Sequence, residues 1–161
     1  RGVTSWICAD TEPQSLPTGE RLLHITLDPA RHLYLQEHAL DGKYVLPAAA
    51  ALEILAEAAA ALWPGWKVVE VHEHKLMKGV ELGPEGRTLR VFLSPPPYGS
   101  SEGFEVSAQL QSEMAAGRFM THYRCVIRLE QLLPAPMAMP RAVHDDKPLP
   151  VAKAYGEWLF H

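Results

Sequence analysis

The sequence predicts an α+β domain in which one antiparallel sheet curls around a single long, apolar helix. Three observations carry this expectation. Residues 47–62 are alanine-rich and apolar on nearly every side, with only Glu53 and Glu57, four apart, breaking the surface. A helix of that kind must be wrapped on most sides. The segments before and after it alternate apolar and polar residues, as half-buried strands do. Turn-forming clusters separate those segments at hairpin spacing.

Taken in order, residues 1–19 read as irregular, punctuated by Pro13, Pro17 and Gly19. Residues 20–28 form a strand with Leu23, Ile25 and Leu27 on one face and His24 and Thr26 on the other. Residues 32–46 are mixed. The helix then runs from Pro47 to Leu62, with proline in its first turn and Pro64-Gly65 as its stop. Residues 66–74 alternate again, and 76–82 continue or bend that strand. Leu89, Val91 and Leu93 share a face before Pro95-Pro96-Pro97 ends the run. Phe104, Val106, Ala108 and Leu110 make another. Phe119, Thr121, Tyr123, Cys125, Ile127 and Leu129 make the longest, with Arg118, His122, Arg124 and Arg128 opposite. Gly83-Pro84-Glu85-Gly86, Gly99-Ser100-Ser101 and Ala115-Ala116-Gly117 are hairpin-type connections. Strand, loop, buried helix and antiparallel meander together make the hotdog arrangement, placed at residues 1–129. Residues 130–150, with five prolines, read as an extended linker, and 151–161 as the start of a further element.

Composition excludes several function classes. The chain has 161 residues, 47% of them hydrophobic, 21% charged, with a formal charge of −4. It is long enough for one cored domain. The charge and the lack of a basic cluster give no reason to expect nucleic acid. Glu53 and Glu57 interrupt the longest apolar stretch, so no membrane span is expected. Cys8 and Cys125 are too few for a disulfide framework and lack metal-ligand spacing, so a cytoplasmic setting and no bound metal are expected. The chain opens at Arg1 without a methionine and reads as a piece of a longer polypeptide.

Chemistry concentrates in His38-Ala39-Leu40-Asp41-Gly42-Lys43-Tyr44-Val45-Leu46-Pro47. The run sets an imidazole on a loop just ahead of the helix. Histidine takes and releases protons near neutrality, its unperturbed pKa being ~6.5. A helix N-terminus offers unpaired N–H groups and partial positive charge to an oxygen that gains negative charge. Gly42 permits a backbone turn that a side chain would obstruct. A base held near a helix N-terminus and an apolar cavity suits chemistry on an acyl thioester.

The spacing His38-x-x-x-Gly42-x-x-x-x-Pro47 resembles the signature of dehydratase domains of modular polyketide synthases and polyunsaturated-fatty-acid synthases. The likeness extends through Val45-Leu46-Pro47 and the helix from Ala51 to Ala58, and more loosely along the strands. Tyr155-Gly156-Glu157-Trp158-Leu159-Phe160-His161 is similar to the opening of the second half of such domains. The resemblance implies the first half of a double hotdog that removes water from a 3-hydroxyacyl thioester, leaving a 2-enoyl thioester. It implies His38 as general base and substrate contacts at Gly42, Pro47 and Ala48, with the Ala48 amide polarising the thioester carbonyl. It implies a substrate carried on the phosphopantetheine of an acyl carrier protein, with no cofactor held by the chain itself. Further partners would be a second hotdog half of the same polypeptide and a second copy in a homodimeric parent synthase.

Two departures from the family pattern stand out. Ala48 replaces the glycine common after the motif proline, and the family's acid, an aspartate of the second half, lies outside the sequence. Asp145 and Asp146 sit in the linker and are poor substitutes, so this chain alone is not expected to complete the elimination. The alternatives are a non-catalytic acyl-binding or scaffolding module and an isomerase that shifts a double bond.

Bland readings apply elsewhere. Glu53 and Glu57 form the helix's solvated or interfacial stripe. His72 and His74 make a surface pair on one strand face. Cys125 is a small core residue. His122 sits with Arg118, Arg124 and Arg128 on a solvated face. Trp158, Leu159 and Phe160 are expected to pack on the second half.

Overall fold

The computed structural model describes residues 12–94, 102–115 and 117–136. Expectations for the Pro95–Pro97 stop, the Gly99–Ser101 turn and the elements after residue 136 fall outside them.

Among the described residues, nine strands and one α-helix follow in the order β1 (Gln14–Ser15), β2 (Arg21–Leu27), β3 (Ala39–Leu40), β4 (Lys43–Val45), α1 (Ala48–Leu62), β5 (Lys67–Leu76), β6 (Glu81–Leu82), β7 (Arg87–Ser94), β8 (Gly103–Ala115) and β9 (Arg118–Glu130). A 3-10 turn, Leu33–Leu35, lies between β2 and β3. Six strands form the main sheet in the order β1-β2-β7-β8-β9-β5, and β3-β4-β6 form a small second sheet. Every pairing is antiparallel. This is the expected hotdog, one sheet laid over one helix.

Alternation in the strands delivers the core. Leu23, Ile25 and Leu27 of β2 and Leu89, Val91 and Leu93 of β7 are all at most 1% exposed. Val106, Ala108 and Leu110 of β8 and Tyr123, Cys125, Ile127 and Leu129 of β9 join them. From the helix come Ala51, Ile54, Leu55, Ala58, Ala59 and Leu62. Those positions recur at three- and four-residue spacing and so define one face. The helix is therefore not wrapped all round, as its composition suggested. Ala48, Ala49, Glu53, Ala60 and Ala61 are exposed, and Glu57 is half-buried. Alanine on both faces accounts for the difference, since its small apolar side chain costs little in either place.

The helix begins one residue later than expected. Pro47 is its N-cap, extended at φ −61°, ψ 143°, and Ala48 is the first helical residue. At the other end, Trp63 donates its N–H to the Ala59 carbonyl at 3.1 Å, and Gly65 takes φ +88°. Arg21 donates to the Leu62 carbonyl and lies 4.3 Å over the Trp63 ring. A cation there complements the negative end of the helix dipole.

Two bulges redirect side chains that strict alternation assigns otherwise. In β9 the register slips between Leu110↔Tyr123 and Gln111↔Thr121, leaving His122 as the additional residue. His122 and Tyr123 are consequently both buried, at 2% exposure each. His122 is thus not on a solvated face with Arg118 and Arg124, and Phe119 is 37% exposed, with the Arg90 guanidinium 3.3 Å from its ring centre. In β5 the register shifts between His72 and Lys75, with Glu73 at φ +53°. An additional residue breaks the period of two and kinks the strand. His72 therefore meets Glu105 at 3.4 Å, whereas His74 stacks on Tyr123. The two imidazoles do not act as a pair.

The stretch expected to prolong β5 turns away at Met77, and residues 81–82 cross into the small sheet. After Glu130, residues 131–136 carry no helix or strand.

Candidate active site

The His38–Pro47 run folds as a hairpin that sequence periodicity does not reveal, because its strands hold only two and three residues. Leu40 pairs with Lys43 and Ala39 with Tyr44, so Asp41 and Gly42 form the two-residue turn. Both have positive φ, +50° and +76°. Asp-Gly is the dipeptide that such a turn favours, because its twist matches that of the flanking strands. A Cβ on Gly42 would meet nothing within 4 Å. The glycine is needed for its backbone conformation, and not for space.

The hairpin register is what builds the site. Val45 donates its N–H to the His38 carbonyl at 3.0 Å, which extends the pairing by one residue. His38 thus lies across from Val45, three residues before the start of α1. On that path Leu46 donates to the Val80 carbonyl at 3.0 Å, and the Tyr123 hydroxyl donates to the Leu46 carbonyl at 3.1 Å. Leu46 is fixed from both sides, so the chain enters the helix at a defined angle.

At the helix start the Ala51 N–H donates to the Pro47 carbonyl at 3.0 Å. The N–H groups of Ala48, Ala49 and Ala50 precede that first bond and point out of the helix end. Among the described residues no side chain caps this end, and no acidic residue occupies the first turn. Ala48 is exposed and is the first helical residue. His38 is exposed too, and among the described residues its imidazole makes no hydrogen bond or ion pair. Among the described residues, an exposed imidazole and an uncapped helix N-terminus are thus linked through Val45, Leu46 and Pro47. Such a pair can accept a proton and stabilise a nearby oxyanion.

Two clefts border the hairpin. One of about 620 Å³ is lined by Gly42, Lys43 and Tyr44 on one wall and Leu82, Pro84 and Arg87 on the other. Gly42 is the motif residue that borders it; His38, Pro47 and Ala48 do not. The Lys43–Glu81 ion pair, 2.9 Å, bridges the hairpin to β6 and lowers the Glu81 pKa through the Lys43 hydrogen bond and charge. With both side chains 63% exposed, the pair adds little to stability.

The other candidates resolve as follows. Cys125 is buried, and burial pushes its thiol up to about 11, so it is a core residue. Glu53 is exposed, and Glu57 is near enough to Tyr34 to help raise that phenol's pKa, after burial. Sequence reasoning missed Tyr123 as the clamp on Leu46. It also missed a buried polar chain in which Arg87 Nη2 donates to Ser112 Oγ at 3.0 Å and Ser112 Oγ lies 2.8 Å from His122 Nε2. Both depend on the β9 bulge, which has no composition signal.

Comparison with known proteins bears on the same elements. Residues 11–109 match the polyketide synthase dehydratase domain family. The chain is 27% identical over 154 residues to a polyunsaturated fatty acid synthase polypeptide of Thraustochytrium sp., covering 94% of the chain and 5% of that protein. Among solved structures it is similar to the dehydratase domain of the polyketide PpsC from Mycobacterium tuberculosis. There the TM-score is 0.56 and the identity 25%, with 78% of this chain and 45% of that one covered. It is also similar to the dehydratase domain from the terminal module of the rifamycin polyketide synthase. That TM-score is 0.62 at 15% identity, covering 89% of this chain and 51% of the other. The chain therefore spans about half the length of these dehydratase structures and a small part of the curated relative. A match running from before β1 into β8, with the same hotdog behind it, places this chain in the polyketide synthase dehydratase domain family, as an N-terminal hotdog half.

Proposed function

We propose that this chain supplies the basic half of a dehydratase site acting on a 3-hydroxyacyl thioester carried on the phosphopantetheine of an acyl carrier protein. His38 removes the proton from the carbon next to the thioester carbonyl. The Ala48 amide, at the dipole-positive end of α1, stabilises the negative charge that this places on the carbonyl oxygen. Loss of the 3-hydroxyl as water needs an acid, which this reading assigns to the second hotdog half, together with the wall that closes the site. Gly42 and Pro47 act through geometry: the first turns the hairpin, the second aims the helix. The reading sets the chain in a cytoplasmic synthase, and in a homodimer if the parent follows its family.

The observation that carries the reading is the hairpin register that puts His38 across from Val45, beside an uncapped helix N-terminus. The test is dehydration of a 3-hydroxyacyl thioester by the chain joined to its second half, followed as 2-enoyl absorbance. His38→Ala should lower the rate by roughly 10²–10⁴-fold with the melting temperature unchanged. Retained activity in a folded His38→Ala protein would overturn the assignment. The chain by itself should bind the thioester without turning it over.

A further inference from the structure

The polar chain on β7, β8 and β9 uses none of the residues His38, Gly42, Pro47 and Ala48. Arg87 donates through Nη1 to the Glu81 carbonyl at 3.1 Å and through Nη2 to Ser112 Oγ at 3.0 Å. Ser112 Oγ lies 2.8 Å from His122 Nε2, and His122 Nδ1 lies 3.0 Å from the Lys78 carbonyl. A carbonyl only accepts, so Nδ1 carries the ring proton and Nε2 is the acceptor. Ser112 already accepts from Arg87, so its own hydroxyl hydrogen points to Nε2. A serine is thereby bonded to a neutral histidine whose far nitrogen is fixed by a third group, the arrangement that activates a nucleophile. Burial, the largest influence, moves the His122 pKa down, so the acceptor form is the one present at neutral pH.

Access and surroundings fit that chemistry. Ser112 and His122, 3% and 2% exposed, line a cleft of about 400 Å³ that also carries Lys78 and Arg87, Glu81 and Glu113, and the thioethers of Met114 and Met120. A pair kept only for packing has no need of a cleft above it. The thioethers suit an aliphatic acyl chain, and Arg87, bonded to Ser112 Oγ at 3.0 Å, sets a positive charge beside the reacting hydroxyl.

We propose that Ser112 is a nucleophilic serine that takes acyl groups from esters or thioesters, with His122 as its base and Arg87 as its electrostatic partner. Oγ attacks the carbonyl carbon while its proton passes to His122 Nε2. The C–S or C–O bond then breaks, and Nε2 returns the proton to the departing thiolate or alkoxide. The products are an acyl ester on Ser112 and a free thiol or alcohol; water, giving its proton to His122 Nε2, then attacks that ester and releases a carboxylic acid and free Ser112.

The test treats the folded 161-residue chain with a fluorophosphonate and with a 4-nitrophenyl acyl ester, reading adduct mass and position by peptide mapping. Labelling at Ser112 is expected, absent in Ser112→Ala and slowed at least roughly 100-fold in His122→Gln. Adducts at another residue, adducts that persist in Ser112→Ala, or a folded chain without adducts would overturn the proposal. Ser112→Cys gives a second reading that does not need the probe. Ser112 and Cys125 are equally buried, at 3% exposure, so the thiol at position 112 should react with iodoacetamide at neutral pH more than about 10-fold faster only because a neighbouring base raises its thiolate content. Equal rates would also overturn it.

Discussion

Tyr123 donates its hydroxyl to the carbonyl of Leu46 across 3.1 Å, joining β9 to the residue before the helix N-cap. Both partners are buried, at 2% and 1% exposure, and burial pushes the phenol pKa up, so the group stays a donor at any ordinary pH. Tyr123→Phe keeps the ring and orphans the carbonyl. The expected cost is about 1–3 kcal/mol in chemical denaturation. In the complete domain it should also lower dehydration, since the angle at which the chain enters α1 is no longer fixed. A variant as stable as the parent would show that the bond contributes nothing.

Two glycines with nearly the same φ should respond differently to alanine. Gly42 has φ +76° and open space around its Cβ position. Gly86 has φ +78°, and a Cβ there would sit 2.5 Å from the Leu27 carbonyl oxygen. Gly42→Ala should cost about 1–2 kcal/mol, the left-handed penalty alone. Gly86→Ala adds a clash with backbone that cannot rotate away, and its melting temperature should fall further. Equal shifts would contradict the geometry.

His122 gives stability a defined acid dependence. Its pKa is lowered by burial first and by the Arg87 and Lys78 charges after, against the bond to the Lys78 carbonyl. Ser112, Glu81 and Glu113 complete the polar lining around it. Below ~6.5 the unfolded chain binds a proton at this residue that the folded chain does not. Stability should therefore fall as pH drops from ~6.5 toward the lowered folded value, with a slope of at most about 1.4 kcal/mol per pH unit. His122→Gln should remove that part of the slope in urea titrations at stepped pH. An unchanged slope would mean that the residue is not held neutral.

Cys125 should resist alkylation in the native state. It is 3% exposed and its thiol is pushed up to about 11. At pH 8 only about one thiol in a thousand would be ionised. Iodoacetamide should leave the Cys125 peptide unmodified until denaturant is added.

Ala58, fully buried where α1 meets the sheet, should not accept a larger side chain. Ala58→Leu is expected to cost about 1–3 kcal/mol through overpacking. Ala60→Leu, on the exposed face, should be nearly neutral, which a pair of thermal melts would check.

The long elements are legible because their periodicity survives for many residues. β2, β7 and most of β8 and β9 place their alternating apolar residues inward as expected, and Pro64-Gly65 ends the helix where expected. The short ones are not. β1, β3, β4 and β6 hold two or three residues each, too few to show a period, and their hydrogen bonds go to partners distant in sequence. The bulges at Glu73 and His122 mislead for a related reason. Each moves one residue out of register and inverts the faces that follow, and no residue type marks the place.

Local spacing and side-chain polarity are enough to specify the core, the single helix with its ends, and the His38–Gly42–Pro47 run. The packed fold is needed to show that the helix buries one face and leaves the other open, since alanine suits either environment. Packing also sets His38 beside the helix start, through a hairpin register fixed by backbone bonds that no side chain announces. It is packing, too, that lets Tyr123 hold Leu46 and turns His122 inward to meet Ser112 and Arg87. Those contacts join residues of different elements, and only the folded sheet with its bulge brings them within bonding distance.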